Sequence, residues 1–299
     1  MLQKFDERNK DLQININGKL LHRSVARISP FDSSVQGGDG VWEGLRLYNG
    51  HIFKLEEHLN RLRNSAKAMA FQDIPNNDNL IIEISKTLAA NEMHDGVHIR
   101  LTLTRGEKIT SGMDPRLNQS GSTLIVLAEF KEPVYGKDGL KLMTSSIRRF
   151  TPDTMDPKIH HCNLIQSIMA KAESNAAGAD DALMLDSRGF LAETNATHLF
   201  FVKNSEVFTS RTVACPEGVT RQTIIDICHE NNISIHVKDC SQAELYRADE
   251  CFCTGTMGEL AFVAQVDGRT IGDGSIGEVT TRLTNLFKKL VAASGTKVI

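Results

Sequence analysis

The sequence predicts an α/β protein with two domains, each built from mixed sheets with flanking helices. A length of 299 residues is more than one core usually organises, so we expect two. Segments in which every second residue is apolar, as in half-buried strands, are interleaved with segments that repeat apolar residues at helical spacing. A short, polar, turn-rich stretch divides them. We therefore place an N-terminal domain at 1–130, a linker at 131–139 and a C-terminal domain at 140–299.

Composition argues against several classes of partner. The net charge is −3 and 24% of the residues are charged, which gives no electrostatic case for binding nucleic acid or an anionic membrane. No apolar run approaches the roughly 20 residues of a membrane span, and the N-terminus lacks the apolar core of a signal peptide. The six cysteines do not have the spacing of a zinc site. We expect a cytoplasmic protein with reduced cysteines and no metal.

Two hairpin turns frame the first candidate binding surface. Asn17-Gly18 and Asn49-Gly50 each separate two strand-like segments, as two-residue hairpin loops do. In the strand before the second turn, Trp42, Gly44 and Arg46 have the same parity and share one face. An indole, a gap and a guanidinium on one face suit a pocket wall for an apolar group that carries a carboxylate. The alternative is an ordinary strand whose arginine extends into solvent.

The next segments add three more basic candidates. Residues 54–70 have a helical apolar stripe, and Arg61 lies beside it, where it either reaches inward or stays in water. Residues 97–104 alternate, so His98 and Arg100 face the same way. The stretch 105–121 is long for a loop in a compact domain, which favours a functional role.

Lys158 is the candidate nucleophile. Pro152 and Pro157 make its approach irregular. The residues after it predict a helix that packs on a core through Leu164, Ile165, Ile168, Met169 and Ala172. We therefore expect Lys158 where a loop enters this helix, near N-terminal dipoles that favour the neutral amine needed for carbonyl chemistry. The alternative is a surface lysine beside a helix start.

The C-terminal half also carries a candidate acid and a candidate anion site. Glu193 lies in an apolar, strand-like neighbourhood, where it either has a cation beside it or occupies a solvated sheet edge. Residues 218–220 open a helix, whose free amides bind anions or are simply capped. Residues 254–258 form a second turn of small residues after a strand. With an arginine, the two turns suffice to hold a phosphate.

Taken in order, these motifs resemble the class IV, fold-type IV pyridoxal-phosphate enzymes. That family includes branched-chain aminotransferases, D-amino-acid aminotransferases, (R)-amine transaminases and aminodeoxychorismate lyases. The resemblance runs from about residue 12 to about residue 290. It is carried by Gly40-Val-Trp-Glu-Gly-Leu-Arg46, Glu57-His-Leu-Asn-Arg61, Lys158, Glu193-Thr-Asn, Gly218-Val-Thr-Arg221 and Thr254-Gly-Thr256.

The resemblance implies that pyridoxal 5'-phosphate binds between the two domains. Lys158 is similar to the lysine that bonds covalently to the cofactor, and Glu193 to the carboxylate that pairs with its ring nitrogen. Asn163 stands where many members have a cofactor-facing tyrosine, and we expect it among the cofactor contacts. The phosphate would be held by Arg61 and by residues of the two turns, namely Gly218, Val219, Thr220, Gly255 and Thr256.

The resemblance also implies a transaminase that is at least a homodimer. Trp42-Glu-Gly-Leu-Arg46 is similar to the branched-chain signature, so the expected substrates are an L-branched-chain amino acid and a 2-oxo acid such as 2-oxoglutarate. A D-amino-acid or (R)-amine transaminase is the alternative, because Arg116 lies in the loop where D-specific enzymes carry an arginine; a lyase-type enzyme is a further one. The residues expected around the substrate are Trp42, Gly44, Arg46, His98, Arg100 and Met257.

Overall fold

The computed structural model describes residues 3–133, 135 and 138–299 and divides into two compact units. The N-terminal unit comprises 3–132, 159–163 and 291–299, and the C-terminal unit comprises 133–158 and 164–290. Helices and strands are mixed throughout, which confirms the predicted α/β class. The domain limits placed from sequence remain predictions. Five residues of the predicted N-terminal domain and linker lie outside the described residues, namely Met1, Leu2, Val134, Gly136 and Lys137.

The elements follow one another along the chain as strands β1–β16 and helices α1–α7. The strands are β1 (Gln13–Ile16), β2 (Lys19–His22), β3 (Gly40–Tyr48), β4 (His51–Ile52), β5 (Val97–Thr104), β6 (Thr123–Phe130), β7 (Leu140–Thr144), β8 (Asp181–Leu185), β9 (Leu191–Thr194), β10 (His198–Lys203), β11 (Glu206–Ser210), β12 (Ile235–Lys238), β13 (Glu250–Gly255), β14 (Glu259–Val266), β15 (Arg269–Thr270) and β16 (Thr296–Lys297). The helices are α1 (Ser33–Gly37), α2 (Leu55–Ala68), α3 (Asn77–Ala90), α4 (Ile165–Ala176), α5 (Val219–Glu230), α6 (Gln242–Tyr246) and α7 (Glu278–Ala293). Within the described ranges, no helix combines the length and the apolar character that a membrane crossing needs.

One antiparallel sheet forms the N-terminal unit. Among the described residues its strand order is β16, β4, β3, β5, β6, β1, β2. Both predicted hairpin turns are confirmed, because Asn17 and Asn49 have φ of 51° and 47° and are followed by Gly18 at 79° and Gly50 at 78°. Two successive residues with positive φ are what a type I′ loop requires.

Strand β3 separates the core of this unit from its polar face. Leu45 and Leu47 are fully buried and pack with the predicted apolar stripe of α2, whose Leu55, Leu59, Leu62 and Ala66 are at most 1% exposed. Since successive residues of a strand point to opposite sides, the even-numbered residues of β3 are directed away from that core. The sheet therefore presents Trp42, Gly44 and Arg46 together on its other face.

The C-terminal unit is built on a mixed sheet. Among the described residues the strand order is β12, β11, β10, β13, β14, β7, β8, β9, with β15 beside β14. Strand β7 is parallel to both β14 and β8, β11 is parallel to β12, and the other pairs are antiparallel. The core of this unit includes Leu183, Leu199, Phe201 and Val263.

Helix α4 differs from its prediction in where it begins and in what it buries. It begins at Ile165, seven residues after Lys158, so Lys158 does not lie at a helix N-terminus and the dipole argument for it was wrong. Its buried face consists of Ala170 and Ser174, whereas Ile165 is 57%, Ile168 60% and Met169 49% exposed. Helical spacing predicted the helix correctly, but the prediction that its larger apolar residues enter the core of this chain was wrong.

The segment 159–163 joins β3 rather than the helix. Trp42 donates its backbone N–H to the carbonyl of His160 (3.1 Å), and Cys162 donates to the carbonyl of Gly40 (2.8 Å). β4 reaches β3 at its far end, at Leu47 and Tyr48. Residues 160–162 lie beside the first half of β3, where they extend the sheet. The chain leaving Lys158 is thereby fixed to the strand that carries Trp42.

Candidate active site

Strands β3 and β5 bring the predicted substrate-contact residues onto one face. Gly44 lies opposite Arg100, and Arg46 lies opposite His98. The Arg100 guanidinium carbon is 3.5 Å from the centroid of the Trp42 ring, a close cation–π contact. A Cβ at Gly44 would be 3.3 Å from His98 Nε2, so glycine keeps the space in front of the imidazole open. The predicted shared face is confirmed as geometry.

This face is cationic. Burial, with the positive charges of Lys131, Arg100 and Arg46, lowers the pKa of His98 to about 3, so the imidazole is neutral at physiological pH. Burial also lowers the pKa of Arg100, which nevertheless stays charged because a guanidinium starts so high. Arg46 Nη1 donates to the Lys131 carbonyl (3.3 Å), whereas its buried Nε has no hydrogen-bond partner within the described residues. An unpartnered buried guanidinium nitrogen among positive charges suits an incoming carboxylate.

On the opposite side of β3, Glu43 forms a buried cluster that sequence reasoning missed. Its side chain is 0% exposed, and the Nε and Nη2 of Arg61 donate to its two oxygens, each over 2.7 Å. His58 Nδ1 donates to Oε2, also over 2.7 Å. Burial alone would raise the pKa of Glu43, but the charges of Arg61 and His160 hold it well below its usual value. Arg61 therefore reaches inward, and the alternative of a solvated arginine was wrong. The signal was in the sequence, since Glu43 has the parity of the buried Leu45 and Leu47.

The segment after Lys158 fixes the aromatic wall of the site. His160 stacks on Trp42 at a centroid distance of 4.4 Å, and Trp42 Nε1 donates to the carbonyl of His161 (3.1 Å). Burial raises the pKa of the Cys162 thiol, and the positive charge of Arg100 partly opposes that rise. Asn163 is exposed and lies beside Gly38, where an added Cβ would be 3.5 Å from its Cα. The expected contact of Asn163 with the cofactor remains a prediction.

In the C-terminal unit, Lys158 lies on an exposed turn in a charged neighbourhood. Its backbone N–H donates to Asp156 Oδ1 over 3.0 Å. Burial raises the pKa of the Cys215 thiol, and the charges that also act on that thiol include Glu193, Arg149 and Lys158 itself. The charges of the predicted nucleophile and of the predicted acid therefore act on the same buried thiol.

Glu193 is buried and paired with a cation, as the first of its two predictions required. It is 5% exposed, and Arg149 Nη2 donates to its Oε1. His198 Nδ1 lies 3.9 Å from Oε2. The alternative of a glutamate in water is wrong. Sequence reasoning missed Arg149, which is also bonded through Nη1 to Ser167 of α4 (2.9 Å). Only the fold brings a residue 44 positions away onto Glu193.

The predicted helix N-terminus is confirmed beside a turn of small residues, and its role as an anion site remains a prediction. Gly218 is the N-cap of α5, and as a glycine it has no side chain with which to cap the helix. A Cβ at Gly218 would be 2.3 Å from the ring of His198, so only glycine allows this approach. His198 pairs with Thr254 across β10 and β13, which places the 254–258 turn near the same ring. The buried Thr254 Oγ1 has no hydrogen-bond partner among the described residues.

These residues fit pyridoxal 5'-phosphate. The cofactor needs a carboxylate for its ring nitrogen, an amine for its aldehyde and N–H donors for its phosphate. Glu193 is a buried carboxylate, Lys158 is an exposed amine, and the first amides of α5 receive no cap from a side chain of Gly218, their N-cap residue. Among the described residues, no group of His, Cys, Asp and Glu side chains is arranged to hold a metal ion.

Comparisons with known proteins show the family to which the chain is similar. The family model for amino-transferase class IV matches residues 40–266. Branched-chain-amino-acid aminotransferase-like protein 2 of Arabidopsis thaliana is 50% identical over 97% of this chain, which spans about half, 52%, of that relative's length. A putative branched-chain-amino-acid aminotransferase of Methanocaldococcus jannaschii is 36% identical over 96% of this chain and 99% of its own. A solved structure of a branched-chain amino acid aminotransferase complexed with N-(5'-phosphopyridoxyl)-L-glutamate has a TM-score of 0.88 at 32% identity, with 95% of both chains covered.

Class IV aminotransferases use pyridoxal 5'-phosphate, which confirms the cofactor expected from the resemblance. The match covers most of the chain and includes every motif on which that resemblance rested. The chain belongs to the class IV aminotransferase family.

Proposed function

We propose that this chain is an aminotransferase that moves the amino group of an L-branched-chain amino acid to a 2-oxo acid such as 2-oxoglutarate. The observation that carries the proposal is the face of β3 and β5, where an indole, the buried guanidinium of Arg46 and the half-buried guanidinium of Arg100 lie together. That face offers an apolar surface and a carboxylate site to one small molecule. Relatives named as branched-chain aminotransferases support the same substrate class.

Lys158 carries the proton in the proposed reaction. Its amine removes the proton from the Cα of the amino donor, and in the second half-reaction it returns a proton to the Cα of the amino acid formed from the 2-oxo acid, acting as general base and then as general acid. The cofactor, when bound, supplies the electron sink that stabilises the resulting carbanion. Lys158 lies on an exposed turn that is bonded to Asp156 through the backbone N–H, which leaves its side chain room for this movement.

Glu193 keeps the ring nitrogen protonated in the proposal. Arg149 pairs with the buried Glu193, and an ionised carboxylate favours a proton on the nitrogen it faces. We assign the phosphate to Arg61 and to the turn residues Gly218, Val219, Thr220, Gly255 and Thr256, and we keep Asn163 as a further cofactor contact.

The substrate contacts follow from the charges of the β3–β5 face. Arg100 and Arg46 bind carboxylate oxygens, because both are held on strands and lose little freedom on binding. Trp42 contacts the apolar side chain of the substrate, and Met257 is a further substrate contact. His98 is neutral, so it contributes a hydrogen bond and adds no charge beside the two guanidinium groups.

The D-amino-acid alternative has weaker support. Arg116, the loop arginine on which it depends, has an 89% exposed side chain and is already paired with Asp114 through Nε at 2.9 Å. Ordering it on a substrate would cost rotamer freedom and the existing pair. The test is a panel of single half-reactions with L-amino acids, D-amino acids and chiral amines, followed by the absorbance of the bound cofactor. Faster turnover of D-alanine than of L-leucine, or product release without an amino acceptor, would replace the proposal with the D-specific or the lyase hypothesis.

We also propose a cytoplasmic homodimer. All six cysteines are free, which fits a reducing compartment. The exposed Ile165, Ile168 and Met169 form an apolar stripe on α4, and such a stripe commonly marks a protein interface. Sedimentation of the wild type and of Ile168→Asp tests the assembly. A wild-type protein that sediments as a monomer would refute the homodimer. An Ile168→Asp variant that sediments as a dimer would refute the assignment of the contact to α4.

A further inference from the structure

Glu43 is a fully buried carboxylate of β3 whose two oxygens are both hydrogen-bonded to basic side chains of α2. The two donors on that helix, His58 and Arg61, are three positions apart and therefore on the same side of α2. Burying a carboxylate costs free energy unless its hydrogen-bonding partners are well placed. The cluster therefore depends on both His58 and Arg61.

The protonation of the cluster follows from its partners. His58 Nδ1 faces a carboxylate oxygen, so it carries a proton. His160 Nδ1 lies 2.6 Å from the Trp42 carbonyl and 3.5 Å from Glu43 Oε1, so it also carries one. Arg61 presents two N–H groups in addition. Three N–H groups therefore bond to the two oxygens, and the His160 imidazole, whose N–H bonds to the Trp42 carbonyl, lies 3.5 Å from one of them. Only a carboxylate, which has acceptors at both ends, satisfies the three donors.

We propose that Glu43 is a positioning residue that holds the Arg61 guanidinium in the orientation in which it binds the cofactor phosphate. The inference rests on the proposed phosphate role of Arg61. Arginine has a long, flexible side chain, and a bidentate pair fixes the guanidinium plane before any anion arrives. Through His160, which stacks on Trp42, the same carboxylate also contacts the segment that follows Lys158.

Glutamine at position 43 separates geometry from charge. Its size matches glutamate, but its NH2 end would face either Arg61 Nη2 and His58, or Arg61 Nε and His160. In both orientations an N–H group of Arg61 meets another donor, so Arg61 must move. Removing the negative charge would by itself strengthen attraction to a phosphate. The two effects therefore predict opposite changes in affinity, and we expect geometry to dominate because the donors cannot be satisfied.

The test compares the affinities of the full-length apoprotein for pyridoxal 5'-phosphate and for pyridoxal, which lacks the phosphate, by equilibrium dialysis. We expect Glu43→Gln to weaken pyridoxal 5'-phosphate binding by about tenfold or more, the loss of one charge-assisted hydrogen bond, and to leave pyridoxal binding unchanged. The matched control is Asp32→Asn, another fully buried carboxylate of the same unit, which bonds to Ser34 and Thr104. It should leave the ratio of the two affinities unchanged.

The remaining variants keep the outcomes distinct. Arg61→Gln should lower the ratio of pyridoxal 5'-phosphate affinity to pyridoxal affinity, as Glu43→Gln does. The double variant should have the same ratio as Arg61→Gln alone. Equal loss of both ligands in Glu43→Gln, or tighter binding of pyridoxal 5'-phosphate, overturns the positioning role. If Arg61→Gln has the wild-type ratio, Arg61 does not bind the phosphate. If Arg61→Gln has a low ratio but Glu43→Gln has the wild-type ratio, only the positioning role of Glu43 is refuted. If Glu43→Gln does not fold, Glu43→Asp keeps the charge with a shorter reach and should give a smaller, equally selective loss.

Discussion

Replacing Glu193 by glutamine is the most direct test of the proposed chemistry. The side chains of Arg149 and Glu193 are 12% and 6% exposed, so their ion pair is nearly shielded from water. Glutamine keeps one acceptor for Arg149 but removes the charge that would hold a proton on the ring nitrogen. Losing a hydrogen bond to a charged group is worth about 1.5–3 kcal/mol. In a transition state that depends on this charge, the loss corresponds to a rate lower by about tenfold to hundredfold.

Affinity for the cofactor should fall much less than the rate. The amides that open α5 are unchanged by the substitution, because Gly218 lies on another element and forms the N-cap of that helix. The rate is measured as a single half-reaction with L-leucine under saturating cofactor, and the affinity by equilibrium dialysis. Glu250→Gln is the control, since Glu250 is a carboxylate of the same unit that bonds to the backbone N–H of Thr280 at 2.7 Å. Normal turnover in Glu193→Gln, or an equal loss in the control, would refute the reasoning.

Three further changes probe the remaining parts of the site. Lys158→Ala should abolish turnover and the borohydride-stable attachment of the cofactor while the protein stays folded, whereas Lys171→Ala, on α4, should keep both; a borohydride-stable adduct in Lys158→Ala would exclude that lysine. Arg100→Ala should raise the KM for L-leucine by at least about tenfold through loss of a charge-assisted bond, and Arg116→Ala should do less; the reverse order would favour the D-specific alternative. Because the folded pKa of His98 is about 3 and its ordinary value is 6.5, the unfolded chain binds the proton first, and stability should fall as pH decreases from about 6.5 towards 3. His98→Asn should flatten that acid decline in thermal melts, and an unchanged decline would contradict the buried, neutral imidazole.

Local sequence determined the turns and the side-chain parity of the strands. Asn17-Gly18 and Asn49-Gly50 are recognisable as hairpin loops because their backbone angles are set by the two residues themselves. The shared face of Trp42, Gly44 and Arg46 followed from a period of two, which holds wherever a strand forms. The start of α5 was also predictable, since Gly218 stands directly before a helical apolar pattern.

Local sequence did not determine the partners of the buried charges. The need for a cation beside Glu193 could be predicted, but its identity as Arg149 depends on how the chain returns to β9. The Glu43–Arg61 pair joins a strand and a helix, and the pattern of that helix alone favoured Arg61 in water. Each pairing is a long-range contact, and a pattern confined to one element contains no information about which other element packs against it.

The segment around Lys158 shows the same limit most clearly. Apolar spacing determined that a helix follows, because side chains three and four positions apart share a helix face whatever surrounds it. It did not determine that the chain first runs beside β3 through His160 and Cys162, nor that Ile165 and Ile168 stay exposed in this chain. Periodicity records which residues lie on one side of a helix, whereas only the tertiary structure decides what, if anything, covers that side.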